Sequence, residues 1–317
     1  MEKGRDNFIP LAQRPRPSIL AAEVLVLVAA AGLWLSSLFV ELIHPGTGAQ
    51  LLADLCYYGP FVLAPAAFYC LRRGGLSEGL RLNPLPLYPA LMAILLGIMS
   101  VYAASAVNSL WGLLLNALGL SEPFEGVSLD AAGSLLPAVL HTAALPAVCE
   151  ELLFRGVVFS AFERRGTAVS IGVSSMLFAM MHGNLYGLPA YLLVGAISAF
   201  IVFAVDSVYA GMLYHTVYNA AILVILNLLS RQGDIPADAA ADGGLIASAA
   251  LNFLMVGLGI SMLLNALNLR RRMLGIEALP PAPDRMTMAE RLLLLLLCLA
   301  LIGSMIAVQA LSAGGAA

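Results

Sequence analysis

Residues 135–162 read LLPAVLHTAALPAVCEELLFRGVVFSAF. The run is apolar and long enough to cross a bilayer as a helix, for which roughly 20 residues suffice. Its middle nevertheless holds Glu150, Glu151 and Arg155. Ionisable groups at such depth are costly and persist where they pair, line a polar cavity or do chemistry. This one stretch therefore points to a membrane helix bundle and marks where its chemistry lies.

The rest of the chain agrees. Of 317 residues, 61% are hydrophobic and 11% charged, against about 45–50% and 25% in soluble domains. Mean hydropathy is +0.91. A soluble globule of this size needs a wetted surface that this composition cannot supply. Disorder, coiled coil, collagen and small disulfide scaffolds are excluded on the same grounds. Net charge is −3, Lys3 is the single lysine, and no basic stripe exists, so nucleic acid is not an expected partner. Cys56, Cys70, Cys149 and Cys298 sit in apolar stretches at no metal or disulfide spacing and read as buried thiols. The first apolar run exceeds a signal-peptide core and reads as a retained span.

The expected fold class is all-α: a polytopic transmembrane bundle of eight or nine spans with its N-terminus inside. Nine candidate spans lie at about 19–43, 51–71, 87–118, 131–162, 168–186, 188–206, 208–230, 246–268 and 289–311. The basic residues alternate with them. Lys3, Arg5, Arg14 and Arg16 precede the first span. Arg72, Arg73 and Arg81 follow the second, Arg164 and Arg165 the fourth, and Arg270, Arg271, Arg272 and Arg285 the eighth. The alternate loops are acidic, with Glu122, Glu125 and Asp130 in one and three aspartates against one arginine in 231–245. With nine spans every basic loop falls on one side, which the positive-inside rule makes cytoplasmic. Three parts are expected: N-terminal transmembrane helices over 1–128, a helical core over 129–230 that holds the ionisable run, and C-terminal transmembrane helices over 231–317.

Within the fourth span, Glu151 and Arg155 stand at i and i+4 and share a helix face. Glu150 lies about 100° around the helix, without a local partner, which leaves it free for proton chemistry. A buried ion pair that only holds helices together is the competing reading of Glu151 and Arg155. His182 closes the run Phe178-Ala179-Met180-Met181-His182 on the fifth span, and His215 and Asn219 are i and i+4 on the seventh. At about 1.5 Å per residue, Glu150, His182 and Asn219 all lie roughly 20–25 Å from the arginine-rich side. An acid, two histidines and an amide thus converge on one layer. His141, half a turn from Glu150, reads as structural; His44, at a span end, has no partner in the pattern. Asp206, at a tight turn, reads as a helix cap.

Glu150-Glu151-x-x-x-Arg155, Phe178-x-x-x-His182 and His215-x-x-x-Asn219, in this order, resemble the CPBP family. That family includes the type II CAAX prenyl endopeptidases, the bacteriocin-processing and Abi-type proteins, and intramembrane proteases paired with C-terminal sorting signals. The resemblance covers about 129–230 and implies endopeptidase activity within the membrane. By motif position, Glu150 would activate water and His182 would assist. His215 and Asn219 would stabilise the oxyanion, while Glu151 and Arg155, with Phe178, would support them. The family has also been regarded as metal-dependent, and Glu150, His182 and His215 form an admissible zinc set. The chain has no His-Glu-x-x-His pair and Asn219 is a poor zinc ligand, so a metal-free glutamate mechanism is favoured.

The expected function is hydrolysis of a peptide bond near the C-terminus of a membrane-associated substrate, prenylated or bearing a sorting signal, at the plasma (inner) membrane of a bacterium. The expected partners are the lipid bilayer and that peptide, lipidated or transmembrane substrate. Two other classes stay open: a non-enzymatic immunity or scaffold protein, and a proton-coupled transporter. No repeat between the halves of the chain favours the latter.

Overall fold

The computed structural model describes residues 16–42, 47–71, 75–120, 135–230, 243–275 and 285–314. Among them all regular structure is helical: α1 (Ile19–Leu42), α2 (Thr47–Leu71), the single turn α3 (Leu76–Gly79), α4 (Leu87–Ala117), α5 (135–165), α6 (Thr167–Met181), α7 (Leu188–Val205), α8 (Val208–Ser230), α9 (Gly243–Met273) and α10 (Met288–Gly314). His44, Arg72, Arg73, the basic residues before Arg16 and the acidic 121–130 loop lie outside the described residues.

Each expected span falls on a helix. Six are long and apolar enough to cross a membrane by length and composition: α1, α4, α7, α8, α9 and α10. Of the three others, two have a visible reason. α5 holds the glutamates, and α6 is an apolar helix of 15 residues. Its end corrects the expected boundary at 186. Gly183 adopts φ +65°, a left-handed residue that stops a helix, so His182 is the C-cap. At the other end of the chain α9 runs on to Met273, so Arg270, Arg271 and Arg272 are helical.

α5 is unbroken but unevenly wound. Val139–Ala144 and Leu152–Phe159 are π-helical, a winding that recurs at functional sites. Pro146 follows the first π segment and has no N–H to return to the preceding turn. Gly156 lies in the second. A Cβ there would come within 2.8 Å of Leu80 Cδ2, so glycine lets the 80–83 segment lie against α5.

Helices pack as neighbours α1 with α2, α6 with α7, and α4 with α7, α8 and α9, while α5 touches α2, α6 and α8. Two apolar cores result. One joins α1, α2, α5, α6 and α10 through residues such as Phe61, Phe154 and Phe178. The other joins α4, α7, α8 and α9 through Leu96, Ile201 and Tyr214.

The arginine-bearing helix ends gather into one buried network. Arg81, expected as one more basic loop residue, is 2% exposed and left-handed (φ 58°). Its guanidinium donates to Asp206 Oδ1 (2.9 Å), to Glu163 Oε2 and to Ser160 Oγ (3.3 Å). Arg16 reaches the same Glu163 oxygen at 3.1 Å. Asp206, left-handed at the C-cap of α7, also has its carbonyl and Oδ2 held by Asn83 Nδ2. Its side chain therefore binds a neighbouring segment as well as ending its own helix. Val208 N donates to Arg81 O, and Ser207 Oγ to Asn83 O. Arg271 donates to Phe203 O and lies 3.9 Å from that ring's centroid.

Removing one partner of a buried ion network leaves the others charged and unpaired, at about 3–5 kcal/mol. Arg81→Ala should therefore lower the Tm of the detergent-solubilised protein sharply. An unchanged Tm would show that the network does not hold these ends together.

Candidate active site

The two adjacent glutamates have different surroundings. Glu151 is fully buried and has three polar neighbours. Arg155 Nη1 lies 3.1 Å from its Oε1, the pairing that the helical spacing predicts. His215 Nδ1 lies 3.3 Å from the same oxygen, and Ser198 Oγ donates to Oε2 at 2.7 Å. The histidine and serine come from α8 and α7, and nothing in the local spacing reveals them. Arg155 also donates to Gly195 O at 2.8 Å and lies 4.6 Å from the Phe178 ring centroid. The group ties α5, α6, α7 and α8 together.

Glu150 has none of this. Its Oε2 is buried and makes no hydrogen bond to protein. It lines a cavity of about 690 Å³ with Phe178, His182, His215 and Asn219. The structure thus brings all four expected catalytic residues to one space, with Glu151 and Arg155 directly behind it. His141 stands apart: it lies 3.3 Å from Asp54 and is half exposed.

Both histidines are held from behind. His182 Nδ1 is 2.8 Å from Phe178 O, so that nitrogen carries the proton and donates. The ring is stacked on Tyr191, with centroids 4.0 Å apart and planes at 20°. The edges of Phe178 meet His182 and His215 at 4.7 and 5.5 Å. In the neutral ring, a proton on one nitrogen leaves the other as acceptor. His182 therefore offers Nε2 as an acceptor. His215, with Nδ1–H turned to Glu151, offers a donor at Nε2 only as the imidazolium. The Asn219 amide is a donor in either case.

The backbone turn after α6 is also satisfied, as irregular backbone in a bilayer must be. Asn184 Oδ1 accepts from Tyr186 N and Gly187 N. Trp111 Nε1 donates to Leu185 O, and Asn108 Oδ1 accepts from Ala190 N. Asn108, Tyr57 and Tyr191 line the cavity. No motif marks them, and Tyr57 looks no different in sequence from Tyr58 beside it.

Among the described residues no three His, Cys, Asp or Glu side chains form a group that could hold a metal ion. Glu150, His182 and His215 share a cavity without forming such a group, although each histidine, with Nδ1 turned to a protein oxygen, keeps Nε2 available as a ligand.

Residues 132–221 match the family model described as Type II CAAX prenyl endopeptidase, Rce1-like. The match supports the CPBP resemblance carried by the three motifs. With the apolar helices it supports reading the chain as an integral membrane protein. No curated protein and no solved structure matches the chain.

A Cβ on Gly211 would meet Glu151 Oε2 at 2.6 Å, Val202 Cγ2 at 2.8 Å and Ser198 Oγ at 3.0 Å. One on Gly172 would meet nothing within 4 Å. Alanine is the better helix former by about 1 kcal/mol, so Gly172→Ala should hold or raise Tm. Gly211→Ala, which pushes on the buried carboxylate, should lower it. Equal responses would show that Glu151 has room to move.

Proposed function

We propose that this chain, which carries an Rce1-like domain of the CPBP family, is a metal-free glutamate-type intramembrane endopeptidase. Residues 129–230 are its catalytic core. Its substrate is a membrane-associated protein cut near its C-terminus. The observation that carries the reading is the division of labour between adjacent acids: Glu151 is neutralised by Arg155, while Glu150 faces the cavity with an unsatisfied oxygen. An uncompensated buried acceptor costs roughly 1–3 kcal/mol, and a bound water is its natural partner.

In this mechanism Glu150 takes a proton from that water. His182 Nε2 accepts the second hydrogen and fixes the water's orientation. The hydroxide oxygen bonds to the scissile carbonyl carbon, and the carbonyl becomes an oxyanion. Asn219 Nδ2 donates to the oxyanion, joined by His215 Nε2 when that ring is the imidazolium beside Glu151. Glu150 then gives its proton to the leaving nitrogen, the C–N bond breaks, and a carboxylate and an amine leave. Arg155 and Phe178 hold the surrounding side chains in register.

Removing a general base costs typically 10²–10⁴-fold in rate. Glu150→Gln should lose that much cleavage while keeping wild-type Tm. Asn219→Ala should lose about 10²–10³-fold in kcat, as for one oxyanion donor. Both are read by cleavage of prenylated and transmembrane-tail peptides, with and without a zinc chelator. A fully active Glu150→Gln would leave the polar layer as packing in a non-enzymatic protein. Loss of wild-type activity in chelator, restored by zinc, would overturn the metal-free mechanism.

A further inference from the structure

From Glu150, the cavity does not extend equally to both ends of the bundle. Along α5 its lining runs through Pro146 and Thr142 to Ala138. Along α8 it runs from His215 to Leu223 and Leu226. Both directions lead away from the arginines.

Helix lengths account for this. The α6–α7 hairpin starts and ends at the arginine network, and α6 has 15 residues, about 22 Å of rise. The 31 residues of α4 and the 23 of α8 rise about 46 and 34 Å. They run on past the hairpin turn, as α5 does from Glu150 back to Leu135. The cavity is the space above that short hairpin.

The opposite direction is closed twice. Directly beneath Glu150 lies the Glu151–Arg155–His215–Ser198 group, with Glu151 and Arg155 at 0% exposure. Beyond it come Leu153, Val157 and Phe159, all fully buried, and then the Arg81–Glu163–Asp206 network. The far end of the lining has exposed apolar Leu226 and exposed Thr142. Such a rim suits hydrocarbon and a peptide chain arriving within it.

We infer that the site is entered from the leaflet opposite the arginine-rich face, and that its substrate is the membrane-embedded tail of a single-span protein presented from the extracytoplasmic half of the bilayer. The arginine-rich face is cytoplasmic under the positive-inside rule. A prenylated tail approaching from the cytoplasm would meet the sealed end. The inference rests on the endopeptidase reading for its substrate, and on geometry together with the positive-inside rule for its route.

Two measurements separate those parts. In the full chain with Cys56, Cys70, Cys149 and Cys298 replaced by alanine, and with wild-type Tm as the criterion of folding, Thr142→Cys marks the mouth. Ala168→Cys, in the first turn of α6, marks the arginine face. A membrane-impermeant maleimide should modify Thr142→Cys in right-side-out vesicles and Ala168→Cys in inverted ones. Modification of Thr142→Cys from the inverted side alone overturns the route. Proteoliposomes then receive two substrates: a single-span reporter with its scissile stretch in the extracytoplasmic third, and a water-soluble prenylated peptide. The reporter should be cut, with a loss of roughly 10²–10⁴-fold in Glu150→Gln. Faster Glu150-dependent cutting of the prenylated peptide overturns the substrate class. Cleavage of neither, with labelling as expected, overturns the endopeptidase reading and leaves the route standing.

Discussion

A carboxylate and a guanidinium with no exposure to solvent, Glu151 and Arg155, set the terms for the rest of the bundle. Neither can be buried alone, because an uncompensated charge in a low-dielectric interior costs several kcal/mol. Together they still require further polar contacts, and these come from other helices: hydrogen bonds with Ser198 and the Gly195 carbonyl on α7, and His215 Nδ1 on α8 at 3.3 Å from Glu151. Satisfying one ion pair thus fixes where two helices stand relative to α5. It also shapes the cavity, since His215 lies beside Glu151 on one side and lines the cavity on the other. Glycine at 211 and at 195 is the space this arrangement consumes.

The polar layer divides the molecule into unlike halves. On the arginine side, side chains are close-packed and Arg81, Glu163 and Asp206 are paired. On the other side α4, α5 and α8 continue without the α6–α7 hairpin between them. The fold makes a cavity simply by ending one hairpin early, at Gly183, and satisfying the exposed turn with Asn184, Trp111 and Asn108.

Sequence carries local relations well and distant ones badly. The span positions were legible because apolar runs of bilayer length have few other uses, and the Glu151–Arg155 pair because i,i+4 spacing is a property of one helix. His182, His215 and Asn219 were legible through their motifs and a common depth. The Glu151–His215 contact was not, since it depends on how α5 packs on α8. Tyr57 and Asn108 carry no signal, because lining a cavity is a property of the assembled bundle. Arg81 was misread as one of many cytoplasmic basic residues. Its partners Ser160, Glu163 and Asp206 lie far along the chain, and composition cannot tell a hydrated arginine from a buried one. The early end of α6 had a signal in His182-Gly183, which the long apolar run around it obscured.

The Arg81 network also bears on the order in which the protein is made. Arg16 and Arg81 belong to segments synthesised early, Glu163 and Asp206 to segments synthesised later. While the first helices are in the membrane and the later ones are still to come, both arginines have only water and lipid headgroups to bind. They anchor those helices at the interface, where charge is cheap. Once the turn at Asp206 emerges, the same arginines can leave water for carboxylates and draw the helix ends together. The late-made partners thus turn provisional anchors into a seal, and the cavity is closed at its base only when the turn at Asp206 is in place.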